Sequence, residues 1–130
     1  MPSTFDRDLS PAFEAIKFYQ ELIRKYPNSD FSKGSEEKIR ICNEKIERKE
    51  KYIADFYFKT GEYNSARYRF LEILKSFTDP QLRGHSIIRI LESSLMLKDL
   101  DGCKKYYEQY KTDISEERAN EANKILKKCQ

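Results

Sequence analysis

The chain has 130 residues, 25 of them Lys or Arg and 22 Asp or Glu, so it is sized for one domain and too evenly charged to imply a polyanionic partner. Nine Tyr and eight Phe are too many rings for a disordered tail, while four Gly and four Pro leave little material for the turns of a β-sandwich. No apolar run approaches the roughly 20 residues of a membrane-spanning helix, and no basic-then-apolar leader opens the sequence.

Residues 1–10 read as an N-terminal extension and 11–130 as one helical domain. Ser10-Pro11 supplies a cap and a first-turn proline for a helix to Tyr26, with Ala12, Ala15, Tyr19, Leu22 and Tyr26 on one stripe. Pro27 ends it. Ser29 or Ser32 then caps an overlong helix near 30–59, on which Ile39, Cys42, Ile46, Ile53, Phe56 and Tyr57 recur every three or four residues. Its midsection, including Glu44, Lys45, Glu47, Arg48 and Lys49, reads as a solvated face of opposite charges. Gly61 is the natural stop, because glycine enters the left-handed conformation without a Cβ penalty.

A third helix from about Glu62 to Phe77 turns Tyr63, Ala66, Phe70, Ile73 and Phe77 inward. Asp79-Pro80 opens a fourth, carrying Leu82, Ile87, Ile88, Leu91 and Leu95. The fifth, from about Leu100 to Thr112, shows Leu100, Cys103, Tyr107 and Tyr110. Asp113 with Glu116 has the form of a capping box for the last, whose inner residues are Ala119, Ala122, Leu126 and Cys129. Short turns between six helices make neighbours antiparallel, and the class is all-α.

The third and fifth helices carry a repeat. The run Gly61-Glu62-Tyr63-Asn64-Ser65-Ala66 followed by Phe70 corresponds to Lys98-Asp99-Leu100-Asp101-Gly102-Cys103 followed by Tyr107, an offset of 37 residues. Each unit places a small residue four before a ring, and Ala15 with Tyr19 repeats the pattern upstream. Small side chains let helices cross closely while rings fill the wedge beside them. The pattern resembles the tetratricopeptide repeat, usual period 34 residues, and predicts a right-handed α-solenoid of about six antiparallel helices. The interval from Ala15 to Ala66 is 51 residues, the excess being absorbed by the long second helix.

Asp6-Arg7, then Tyr26-Pro27-Asn28-Ser29-x-Phe31, the long charged helix reaching Glu50-x-x-x-Ala54-x-x-Tyr57, and Gly61-x-Tyr63-x-x-Ala66-x-x-Arg69 together resemble the BamD family over about Asp6 to Asp79. Its members are lipoproteins of the bacterial outer-membrane β-barrel assembly (BAM) machinery. The resemblance implies a non-catalytic scaffold at the periplasmic face of the outer membrane, docking on the POTRA region of BamA and on accessory lipoproteins. It also implies the C-terminal half of a longer solenoid, with anchor and signal peptide not in this chain; Cys42 falls inside a helix and is no lipidation candidate. A monomer is expected, with end-to-end self-association open to an uncapped solenoid end.

Arg69 matches the arginine that the resemblance assigns to the POTRA-facing side. Its planar fork suits a partner carboxylate, and the competing reading pairs it internally, for instance with Glu50. Glu50 matches a family acid and reads either as a partner contact or as a surface or internal charge. Lys59, Tyr63 and Arg67 surround the turn and would form the rim of the same patch. Lys104, Lys105, Lys127 and Lys128 make the C-terminal end basic, without the dense single-sign stripe interleaved with rings that nucleic acid requires.

Neither a catalytic constellation nor a phosphate-binding glycine loop is present in the sequence. His85 is the single histidine and reads as an ordinary surface residue without an orienting carboxylate. Cys42, Cys103 and Cys129 lack zinc-ligand spacing; although successive antiparallel helices could bring Cys103 and Cys129 near each other, all three read foremost as small buried hydrophobes. No cofactor or metal is called for. The alternative function is a general periplasmic adaptor of another cell-envelope system that holds a peptide in its groove. In its carboxylate-clamping form the clamp asparagine would fall at Asp55, which repels an anion.

Overall fold

The computed structural model describes residues 9–130; Asp6 and Arg7 lie outside the described residues. Six helices follow in order: α1 (Ser10–Lys25), α2 (Asp30–Lys59), α3 (Tyr63–Ser76), α4 (Pro80–Met96), α5 (Leu100–Tyr110) and α6 (Glu116–Cys129), with a 3-10 turn over Lys111–Asp113. The fold is all-α and tetratricopeptide-like, with the overlong second helix where the sequence puts it. Two compact units divide inside α2, one ending at Lys49 and the other beginning at Glu50.

In the first unit, Leu9 takes the cap position of α1 and Ser10 is already its first residue. None of the residues of α1 is fully buried. Tyr26, expected on the inner stripe, stands 59% exposed beyond the end of the helix. Both serines proposed as caps of α2 are used, in different ways. The Ser29 hydroxyl accepts from the Ser32 amide at 3.2 Å, which is the N-cap bond. Ser32, almost fully buried, instead donates to the Tyr26 carbonyl and reaches the Leu22 carbonyl at 3.3 Å, adding a side-chain donor to carbonyls at the end of α1 that already accept from the Ser29 and Tyr26 amides. On the exposed face of α2, Arg40 pairs with both Glu37 and Glu44. Beside the α1–α2 turn lies an open apolar groove of about 900 Å³, lined by Phe18, Tyr19, Leu22, Tyr26 and Phe31.

The second unit holds the main core, with Ala54, Ala66, Phe70, Ile90, Leu91, Cys103 and Cys129 all at 0% exposure. α4 is its centre and packs against α3, α5 and α6. The small residues named by the repeat, Ala66 and Cys103, sit where the helices meet, and the Ser86, Ser93 and Ser94 side chains on α4 are equally enclosed. Ser86 and Ser94 return their hydroxyl protons to the carbonyls of Leu82 and Ile90, both at 2.8 Å, which keeps polar groups satisfied inside the packing.

Two turns close by the same hydrogen-bond pattern. After α2, the Gly61 and Glu62 amides donate to the Phe58 and Tyr57 carbonyls. After α4, those of Lys98 and Asp99 donate to Leu95 and Ser94. Both are Schellman ends with a left-handed residue at the same repeat position, Gly61 at φ +81° and Lys98 at φ +59°. Asp79 and Asp99 cap α4 and α5 through the Leu82 and Gly102 amides, at 2.9 and 3.0 Å. A Cβ on Gly102 would stand 2.2 Å from the Asp99 carboxylate, so the glycine belongs to that cap.

Several expectations need correction. Asp113 does not open a capping box: Ser115 holds the cap position of α6, and Asp113, in the 3-10 turn, pairs with Arg83 at 2.9 Å. Arg83 also donates to the Leu74 and Phe77 carbonyls at the end of α3, and this competing partner accounts for the difference. Leu100 is 40% exposed, and Ile125 is buried in place of Leu126 on the inner face of α6. Cys103 and Cys129 are not thiols but a disulfide, their Cα atoms 6.3 Å apart. The antiparallel run of α5 and α6 brings together residues separated by 26 in sequence; Cys42 remains a free thiol.

Candidate docking surface

The residues expected to meet a partner surround the α2–α3 hairpin. Lys59 ends α2 and is exposed, and Tyr63 begins α3 half-buried, its ring edge-on to Phe58 with centroids 5.4 Å apart. Nearly two turns further along α3, the Arg69 guanidinium stands 5.9 Å from the centre of the Tyr57 ring. Among the described residues it has no carboxylate within ion-pairing distance, so the internal Glu50 pair is not formed. Glu50 is half-buried one helical stripe away, seven residues before Tyr57, and is likewise without an ion pair among the described residues. The Arg69 guanidinium is thus placed beside a ring, with no carboxylate paired to it among the described residues.

Arg67 is built differently. Its guanidinium pairs with Asp99 at 2.7 Å, donates to the Ser94 hydroxyl at 3.1 Å and lies over the Tyr106 ring at 5.6 Å. It therefore ties α3 to the end of α4 and the cap of α5. The Asp99 carboxyl is held below the usual carboxylate range, first by the Arg67 hydrogen bond and then by the Gly102 amide. An arginine so engaged supports the patch from beneath.

A second polar constellation joins α2 to α4. Asp55 lies 2.7 Å from His85 Nε2, 3.2 Å from Lys51 Nζ and 3.7 Å from Arg89 Nε. His85 does have an orienting carboxylate, contrary to its reading as an unattached surface residue, and its ring meets Phe70 edge-on at 5.7 Å. Burial alone would raise the Asp55 carboxyl, but the hydrogen bond and charge of His85, with Lys51, outweigh it and hold the group below its ordinary value. Arg89 stacks 4.2 Å over the Phe58 ring and reaches Glu92 at 3.2 Å. The Glu92 carboxyl is pushed up by burial and by Glu121, against the pull of Arg89.

Asp55 and His85 lie 30 residues apart, and neither stands out alone. The available signal was the repeat: 37 residues after Asp55 comes Glu92, an acid at the same position of the next unit. An aspartate already hydrogen-bonded to a histidine and a lysine, with an arginine 3.7 Å away, is a poor clamp for a partner's carboxylate. No nucleophile faces the His85–Asp55 pair among the described contacts, and no group of three metal-ligating side chains occurs among the described residues. What this arrangement does chemically is orient side chains on a helical surface.

Residues 2–105 match the YfiO family, described as outer membrane lipoprotein. Three curated relatives, each described as outer membrane protein assembly factor BamD, align with the chain. That of Rickettsia prowazekii is 30% identical over 104 residues, covering 80% of this chain and 41% of the relative. The Caulobacter vibrioides relative is 23% identical over 92 residues, 71% of this chain and 30% of its own length. The Vibrio cholerae relative is 25% identical over 88 residues, 68% of this chain and 36% of its own. The chain thus spans less than half the length of each relative, over the stretch that carries the long helix and the Tyr63-x-x-Ala66-x-x-Arg69 run, and it belongs to the BamD (YfiO) family of outer membrane lipoproteins.

Proposed function

We propose that this chain is a non-catalytic scaffold of the outer-membrane β-barrel assembly complex, working at the periplasmic face of the membrane and docking on the POTRA region of BamA. The α2–α3 hairpin is the docking surface: Arg69 is its anchor, Tyr63, Lys59 and Glu50 its surroundings, and Arg67 the strut that holds α3 in place. The observation that carries the reading is that Arg69 is positioned by Tyr57 yet has no acid of its own to bind. Arginine is among the residue types enriched, with Trp and Tyr, at the energetic centres of protein interfaces. The family supports the wider role, since the relatives are described as assembly factors. Accessory lipoproteins of the complex are further partners on this reading.

Calorimetric titration of the soluble POTRA region with the wild-type chain and with Arg69→Ala tests the proposal. Truncation of an interface arginine is expected to weaken binding about tenfold or more, while the melting temperature stays within a few degrees. Equal affinities for the two proteins would remove Arg69 from the interface, and no binding by either would reject the docking partner.

A further inference from the structure

The C-terminal helix α6 is attached by few directed contacts. Of its 14 residues only Ala122, Ile125 and Cys129 are buried, and a helix of that length is marginal in water without packing. Its cap residue Ser115 makes no side-chain hydrogen bond, whereas Asp79 and Asp99 bond the first turns of α4 and α5. Every other helix carries at least one ion pair, and among the described residues α6 carries none. Its side-chain hydrogen bond to a neighbouring helix is Tyr107 to Asn123, at 3.5 Å, and the Arg118 stem crosses α4 at Gly84. Glu121 adds a repulsion: burial and its charge push the Glu92 carboxyl of α4 up, against the pull of Arg89.

By contrast, α3, α4 and α5 are tied to one another without α6. Arg67 of α3 pairs with Asp99 at the cap of α5 and reaches Ser94 of α4. Arg83 of α4 holds the Leu74 and Phe77 carbonyls of α3 and its end, together with Asp113 beyond α5. What α6 has instead is a covalent bond at its far end, from Cys129, its last residue, to Cys103 near the start of α5. With the chain holding it at Ser115 and the bridge at Cys129, α6 can open only as a closed loop of about 15 residues, a restriction that lowers the open population on the order of a hundredfold.

We propose that the bridge is a redox latch on α6: closed, it keeps the helix on α4 and α5; opened by a dithiol, it lets α6 detach while α3, α4 and α5 stay folded. The docking surface on the α2–α3 hairpin makes no use of α6, so the latch is independent of it. Both cysteines are at 0% exposure, so attack waits for fraying of the last turn of α6. One thiolate of the dithiol attacks the Cys129 Sγ, the S–S bond breaks, and Cys103 leaves as a thiolate that takes up a proton. The second thiolate attacks the reductant's own sulfur in the mixed disulfide and releases Cys129, which takes up the second proton. Two electrons have then passed to the protein, and the dithiol is left as a cyclic disulfide. Exchange with an oxidised dithiol closes the latch by the reverse path.

Amide hydrogen exchange of the full chain at room temperature, with and without dithiothreitol, tests the latch. In the oxidised protein the amides of Ala122–Cys129 should exchange about a hundredfold slower than those of an unstructured chain. On reduction that protection should vanish, while the amides of Ala66–Leu74 and Ile87–Leu91 stay protected, and oxidised dithiothreitol should bring it back. The variant Cys103→Ala, Cys129→Ala should behave as the reduced protein in either buffer. Protection of α6 that persists on reduction, or in the variant, overturns the proposal. So does a loss that takes α3 and α4 along with α6, which would make the bridge a support of the whole unit.

Discussion

Breaking the bridge between Cys103 and Cys129 should cost more stability than any other single change to the α5–α6 hairpin. The bridge closes a loop of 26 residues, and the chain-entropy treatment of such a loop gives about 3.5 kcal/mol at 25 °C, drawn from the unfolded state. For a compact unit of the size that begins at Glu50, each kcal/mol moves the midpoint by about 4–8 °C. The oxidised protein should therefore melt roughly 15–25 °C above the same protein in excess dithiothreitol. Thermal melts followed by circular dichroism, in a Cys42→Ser background to prevent thiol exchange, measure the difference. Thiol titration of the denatured, unreduced wild type should find one reactive group, Cys42. Two or more, or reduced and oxidised midpoints within about 3 °C, would refute the argument. A disulfide also implies an oxidising compartment, in keeping with the periplasmic setting proposed above.

The two arginines of α3 should separate by assay: Arg67→Ala strips the Asp99 pair, the Ser94 bond and the Tyr106 contact together and should cost about 2 kcal/mol in urea melts, whereas Arg69→Ala should cost under about 1 kcal/mol. At the two Schellman ends, Lys98→Gly after α4 should stabilise by about 0.5–1 kcal/mol and Gly61→Ala after α2 destabilise by about 1 kcal/mol, since only the left-handed conformation is being relieved or imposed. The Asp55 carboxyl is lowered in the fold, so its stabilising contribution is present above the unfolded value of about 4 and is lost as pH falls through the folded value. Between pH 5 and 3 the midpoint of the wild type should therefore fall more steeply than that of Asp55→Asn. Glu92 acts in the opposite sense: stability declines as pH rises through its elevated value, and Glu92→Gln should flatten that decline.

Helix number, order and most boundaries were legible in the residues because the forces that set them are local. Asp79 and Asp99 cap amides three residues on, Gly61 ends α2, and the small-then-ring rhythm named Ala66, Phe70 and Cys103 as core. Arg69 was singled out by the resemblance to the family, and Lys59, Tyr63 and Arg67 by their closeness to the turn after the long helix. What the tertiary structure alone decided are unions between distant positions: Cys103 with Cys129, Asp55 with His85, Arg67 with Asp99, Arg83 with Asp113. Each depends on how far one helix slides along another, a shift of a few ångströms that no local pattern records. For the same reason two arginines two residues apart on α3 differ, Arg67 paired with Asp99 and Arg69 without an ion pair among the described residues.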